Sequence, residues 1–152
     1  MDERLARLKT PDECEQFAIN VQTRLPDLAR AARRRAVELR AAEHGTTSTA
    51  EREALEAVYA YERVLSQKRG KKIRASRTWQ MIERHGIVGA VERAVSRSDD
   101  PAGYMTLVEM GMQDLSFEAV VVRHPEVFSR EAVTHSADRL RKWGTADTGS
   151  SA

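Results

Sequence analysis

Apolar residues recur along this chain at intervals of three and four, segment after segment, and most segments open and close on a helix signal. Thr10-Pro11-Asp12-Glu13 sets the pattern. Thr10 supplies a cap oxygen, Pro11 sits where a missing N–H costs nothing, and Glu13 falls three residues after the cap, the spacing of a reciprocal capping box. Cys14, Phe17, Ala18 and Val21 follow at i, i+3, i+4 and i+7, which turns the lone thiol toward the core. Leu25-Pro26 ends the run. A second helix is expected from Pro26 to His44, with Leu28, Ala32 and Leu39 along one face and Gly45 free to take positive φ after its last turn. Ser48 and Glu51 repeat the capping-box spacing ahead of Ala54, Val58, Tyr61 and Leu65, a stripe that stops before Gly70.

Past Gly70 the chain reads KKIRA, a short basic connector. Ser76 is expected to cap a short helix that stops at Gly86, and Ile87, Ala90, Val91, Ala94 and Val95 predict another that ends in the loop SRSDDPAG. Gly103 marks a restart. Tyr104, Leu107 and Val108 share a face up to Gly111, and Ser116 opens a further helix through Phe117, Val120 and Val121 that His124-Pro125 stops. The run from Ala119 to Val122 is β-branched enough for a buried strand, yet no second strand exists to pair with it, so helix is the better reading. Ser129 is expected to cap a last helix through Val133, Ala137 and Leu140 to Trp143. Residues 144–152, small and polar, read as a disordered tail.

The expectation is an all-α fold, a compact bundle of about six to eight helices, long ones first and shorter ones after. It forms one domain over residues 1–143. A sub-boundary near residue 70 would leave halves of roughly 70 to 80 residues with little core of their own, so they are expected to pack together. A chain of 152 residues with 41% hydrophobic and 32% charged side chains is too apolar for disorder and too charged for a membrane protein. The charged N-terminus lacks the apolar stretch of a secretory signal, which points to the cytoplasm and away from a membrane.

Enzyme chemistry finds no foothold. One cysteine excludes an internal disulfide, and His44, His85, His124 and His135 lack metalloprotease or zinc-set spacing. Neither a phosphate-binding P-loop nor a dinucleotide fingerprint is present, and Asp99-Asp100 reads as turn chemistry. No catalysis, cofactor or metal is expected. Gly86-Ile87-Val88-Gly89 has GxxG spacing, but the domain that uses such a loop needs a sheet. A helix-turn-helix centred on Gly111 would bury Leu107, Met110, Met112, Phe117 and Val120, yet its second helix offers only Arg123 to a base, so a buried helical hairpin accounts better for it.

Charge, by contrast, is concentrated. Residues 63 to 97 carry ten Lys or Arg against Glu83 and Glu92, a local charge of +8, whereas the other 117 residues hold fifteen basic and twenty-one acidic side chains and come to −6. Such asymmetry bears on partners rather than on fold. Lys68, Arg69, Lys71, Lys72, Arg74 and Arg77 fall within ten residues, a density suited to neutralising several phosphates at once. Gly70 lets the loop follow a backbone, and the N-terminus of the helix after Ser76 offers N–H groups to an anion. Trp79 is a candidate base-stacking side chain, although a lone Trp on an amphipathic helix is more often core, and Arg84 completes the set. Arg30, Arg33, Arg34, Arg35 and Arg40 form a second basic group, read mainly as a solvated face paired with Glu38 and Glu43, with a composite groove joining it to residues 68 to 77 as the other reading.

The function expected is therefore nucleic-acid binding, to DNA or RNA, through phosphate contacts with little sequence discrimination. The alternative is a non-enzymatic helical interaction module, a homodimer or a subunit docking on a protein partner, with Met105, Met110 and Met112 read equally as an adaptable surface or as core filler.

Overall fold

Thr10 Oγ1 accepts the Glu13 amide at 3.1 Å while the Glu13 carboxylate accepts the Thr10 amide at 3.1 Å, so the expected capping box is formed and starts α2. The computed structural model describes residues 1–97 and 100–151, with side chains described as far as Gly144. Eight α-helices follow in order: α1 (Glu3–Ala6), α2 (Pro11–Val21), α3 (Pro26–His44), α4 (Thr49–Arg69), α5 (Ser76–Ser96), α6 (Pro101–Glu109), α7 (Phe117–Arg123) and α8 (Arg130–Ser151). A 3₁₀ turn at Gln113–Leu115 sits between α6 and α7, and there is no strand among the described residues. The fold is all-α. The expected tail at 144–152 falls almost wholly outside the described side chains, and Asp99 lies outside the described residues.

Several boundaries are set by local chemistry the sequence announces. Ser48, Ser116 and Ser129 each accept the backbone amide three residues on, at 3.1 to 3.2 Å. The Glu51 carboxylate takes the amide and hydroxyl of Thr47 instead of returning to Ser48, so that box is open on one side. Asp100, not Gly103, begins α6: its carboxylate accepts the Gly103 amide at 3.0 Å and Pro101 takes the first helical position. Within α5, Gly86 stands at φ 77°, ψ 171° and breaks the element into the two helical pieces expected on either side of it.

α4 is the axis of the core. Ala54 and Ala57 on one side meet Val91 and Val95 of α5, Val120 and Val121 of α7, and Phe128 and Ala132 at the start of α8. Ala60 and Val64 on another side meet Val37 of α3, Leu107 of α6, Met110, Met112 and Leu115. The small side chains let neighbouring helices approach closely. A third cluster joins Leu5, Ala18, Ala29 and Ala32 under α1, α2 and α3. Met110 and Met112 are thus core filler, and of the three methionines expected as a docking surface only Met105 is left partly exposed. Glu118, Val120 and Val121 are buried as well, as a buried hairpin requires. No described helix is long and apolar enough to cross a membrane.

Candidate functional site

The connector between α4 and α5 is held at fixed points. Gly70, at φ 69°, ends α4 in the left-handed conformation. Three residues on, the Ile73 amide donates to Ser66 Oγ on α4 at 2.9 Å, and Ser66 donates back toward the Ile73 carbonyl at 3.4 Å. One oxygen of Glu62, a turn earlier on α4, accepts both the Ala75 amide and Trp79 Nε1, each at 2.8 Å. Ser76 makes no side-chain cap; Ala75 is the cap residue, and a carboxylate from a different helix does the capping. The anion-binding role expected of this helix N-terminus therefore meets a competitor, since Glu62 already holds a negative charge there.

Trp79 is half-buried and surrounded. Its ring stacks with His44 at 5.6 Å between centroids and meets Tyr59 at 5.4 Å, while the Arg74 guanidinium lies 5.1 Å from the ring centre. This is an anchoring post for the connector, as its amphipathic position favoured, and not a ring left open for a base.

Around that post the cations face outward. Lys68, Arg69, Lys71, Lys72, Arg74, Arg77 and Arg84 are all exposed. None of the seven makes an ion pair with any described carboxylate. Arg77 and Arg84 are seven residues apart on α5 and so share a face.

Most of the arginines of α3 behave differently. Arg34 binds both oxygens of Asp114 at 2.9 and 2.6 Å, tying α3 to the 3₁₀ turn. Those hydrogen bonds hold the Asp114 carboxyl below its ordinary range. Arg35 donates to the Leu8 carbonyl at 3.0 Å, and Arg40 lies 3.7 Å from Glu15, which also pairs with Arg63. The expected solvated face is thus largely a set of ties between helices; Glu38 takes part at 3.8 Å from Arg34, and no ion pair to Glu43 is found among the described residues.

Arg30 pairs only with Asp27 of its own helix, at 3.8 Å, and Arg33 with no described carboxylate. The only hydrogen-bond partner of Arg33 among the described residues is the neutral Gln22, at 2.7 Å, and burial together with the nearby Arg63 charge pushes its guanidinium below the usual range. It lines a cleft of about 860 Å³ with Arg30, Arg63 and Lys71, so α3, α4 and the connector each place cations there. Glu15 and Glu109 are the acidic groups in its wall, and Glu15 already serves Arg63. A second cleft, of about 850 Å³, lies across the connector, where Arg40, Arg63, Lys72 and Arg74 are matched by Asp12, Glu15, Glu43 and Glu62. The first has cations in excess; the second is balanced.

Arg63 was not singled out from the sequence, although the signal was present: Arg63, Ser66, Gln67 and Gly70 follow at helical spacing and all line the first cleft. Glu62 left no such signal, because its partners lie thirteen and seventeen residues away. Arg123, the one candidate base reader of the hairpin, is held by Glu53 at 2.8 Å and the Asp114 carbonyl at 2.7 Å. Cys14 is fully buried, and burial pushes its thiol up, the opposite of what an activated thiolate requires. Among the described residues no group of three or more His, Cys, Asp or Glu is placed to hold a metal ion. No family model, no curated protein and no solved structure matches the chain.

Proposed function

We propose that this protein binds nucleic acid through phosphate contacts made by the connector and its flanks, with little discrimination of sequence. The observation that carries the reading is a contrast within one molecule. Arg34, Arg40 and Arg63 are spent on the chain's own carboxylates, whereas Lys68, Arg69, Lys71, Lys72, Arg74 and Arg77 stand exposed without one among the described residues. Exposed cations without an ion pair also occur elsewhere, at Arg7, Arg24 and Arg130 for example, but nowhere else among the described residues do six fall within ten. Lys71 lines the cleft of Arg30, Arg33 and Arg63, where a phosphate would offset the repulsion between partly buried guanidiniums. Side chains that touch phosphates position a protein on a strand without reading bases, and with Trp79 committed to packing, no stacking platform adds preference.

Salt titration tests the reading directly. Binding to a random-sequence duplex and to a single strand should weaken linearly in a log-log plot, with a slope of about −0.9 per phosphate contacted on duplex and about −0.7 on single strands. Lys71→Ala combined with Lys72→Ala should weaken both and reduce the magnitude of the duplex slope by about 2. Absence of binding by the intact protein at low salt to DNA and RNA alike would overturn it.

A further inference from the structure

A cavity of about 480 Å³ lies between α4, α5, α6, α7 and α8, away from the cleft described above. That is within the usual range for a small-molecule site. Its wall carries two aromatic pairs, Tyr61 with Phe117 at 5.8 Å and Tyr104 with Trp143 at 5.1 Å between ring centroids. Arg77 and Arg97 are exposed, line the same cavity, and make no ion pair with a described carboxylate. The third arginine, Arg139, is committed: it is buried, binds Glu118 at 3.1 Å and donates to the Arg97 carbonyl.

Trp143 is the telling residue. It is 5% exposed, and its Nε1–H is buried with no hydrogen-bond partner among the described residues. An indole N–H in that position forfeits the hydrogen bond it makes to water when the chain is unfolded, and native proteins rarely leave such a donor unmet. Among the described residues, an indole donor without an acceptor and two exposed guanidiniums without an ion pair share this wall with four aromatic rings, while the Asp100 carboxylate there caps α6, and together they specify complementary chemistry. We propose that this cavity binds a planar aromatic anion, whose ring packs among the aromatic pairs, whose acceptor meets Trp143 Nε1–H, and whose carboxylate or phosphate pairs with Arg77 and Arg97.

The test reads the Trp143 indole N–H by ¹⁵N-¹H NMR on the full chain, the two tryptophan signals being distinguished with Trp79→Phe. The probes are benzoate and adenosine 5′-monophosphate, with benzamide and adenosine as their uncharged counterparts. One or both anions should shift the Trp143 signal saturably, and the uncharged counterpart should bind at least about tenfold more weakly. A response to benzoate alone assigns a carboxylate ligand; a response to the nucleotide, alone or in excess, assigns a phosphate ester. Arg97→Ala removes only an exposed side chain, leaves the carbonyl bond to Arg139 in place, and should weaken binding by about tenfold. No shift from either anion up to about 10 mM, or equal binding of the uncharged compounds, would overturn the proposal. Arg77 belongs to both readings, but Arg97 and the Trp143 signal belong to this one alone, so their response and the salt titration can fail independently.

Discussion

Glu62 shows how much one side chain can hold. A single carboxylate oxygen serves as helix cap for Ala75 and as anchor for the Trp79 indole, so it fixes both where α5 starts and how the connector lies. Hydrogen bonds to a charged acceptor are worth more than neutral ones, and removing the acceptor leaves two part-buried donors unmet. Glu62→Ala should therefore cost about 1 to 3 kcal/mol in urea unfolding, with Glu62→Gln recovering part of the loss because an amide oxygen remains. Equal stability of wild type and Glu62→Ala would show that water replaces the carboxylate without penalty. Glu56 is the opposite case. It is buried on α4, and burial first, then the neighbouring Glu38, pushes its carboxyl above the ordinary range. In the interval between its unfolded and folded values the folded state binds the extra proton, so stability falls as pH rises through that interval. Glu56→Gln should accordingly raise the thermal midpoint at about pH 7 and leave it unchanged at about pH 3.5, where the carboxyl is protonated in both states.

At the scale of elements, the break in α5 separates strain from space. A Cβ added at Gly86 would meet nothing within 4 Å, so a purely steric view predicts that alanine is harmless there. The backbone, at φ 77° and ψ 171°, lies in a region that side-chain-bearing residues almost never occupy. Gly86→Ala should cost about 1 to 3 kcal/mol by chemical denaturation, or straighten α5 and disturb Ile87 and Val88 where they pack on the core. An unchanged midpoint would mean the break is set by packing and not by glycine. This break was legible in the sequence, as were the caps at Thr10, Ser48, Ser116 and Ser129, because each depends on residues three or four apart. The start of α5 was not: Ser76 carries the right side chain for a cap, but Glu62 occupies the position from another helix. The 3₁₀ turn and α1 were missed as well, since three or four residues leave no period to detect. For the candidate site, the cations of the connector were visible as a run, whereas the cleft that Lys71 shares with Arg30, Arg33 and Arg63 depends on how α3 packs against α4.

Across the whole molecule, ties cross residue 70 at several places, from Glu62 and Ser66 to the connector and from Glu53 to Arg123 and His124. Burial raises the Glu53 carboxyl, but the hydrogen bonds from Arg123 and His124 outweigh it and leave it lowered, as Arg34 does for Asp114. Both carboxylates bind protons less readily when folded, so the stability they lend is present above their unfolded values, near pH 4, and drains away as acid protonates them. Acid should therefore loosen the ties of α3 to the 3₁₀ turn and of α4 to the end of α7. The same bracing bears on how the connector meets a protease. Residues 68 to 77 offer trypsin six cleavable side chains, yet the enzyme needs an extended, unpinned strand to enter its active site. With the Ile73 and Ala75 amides clasped by α4, the native chain should be nicked there only slowly, and Glu62→Ala should open that scissile stretch first.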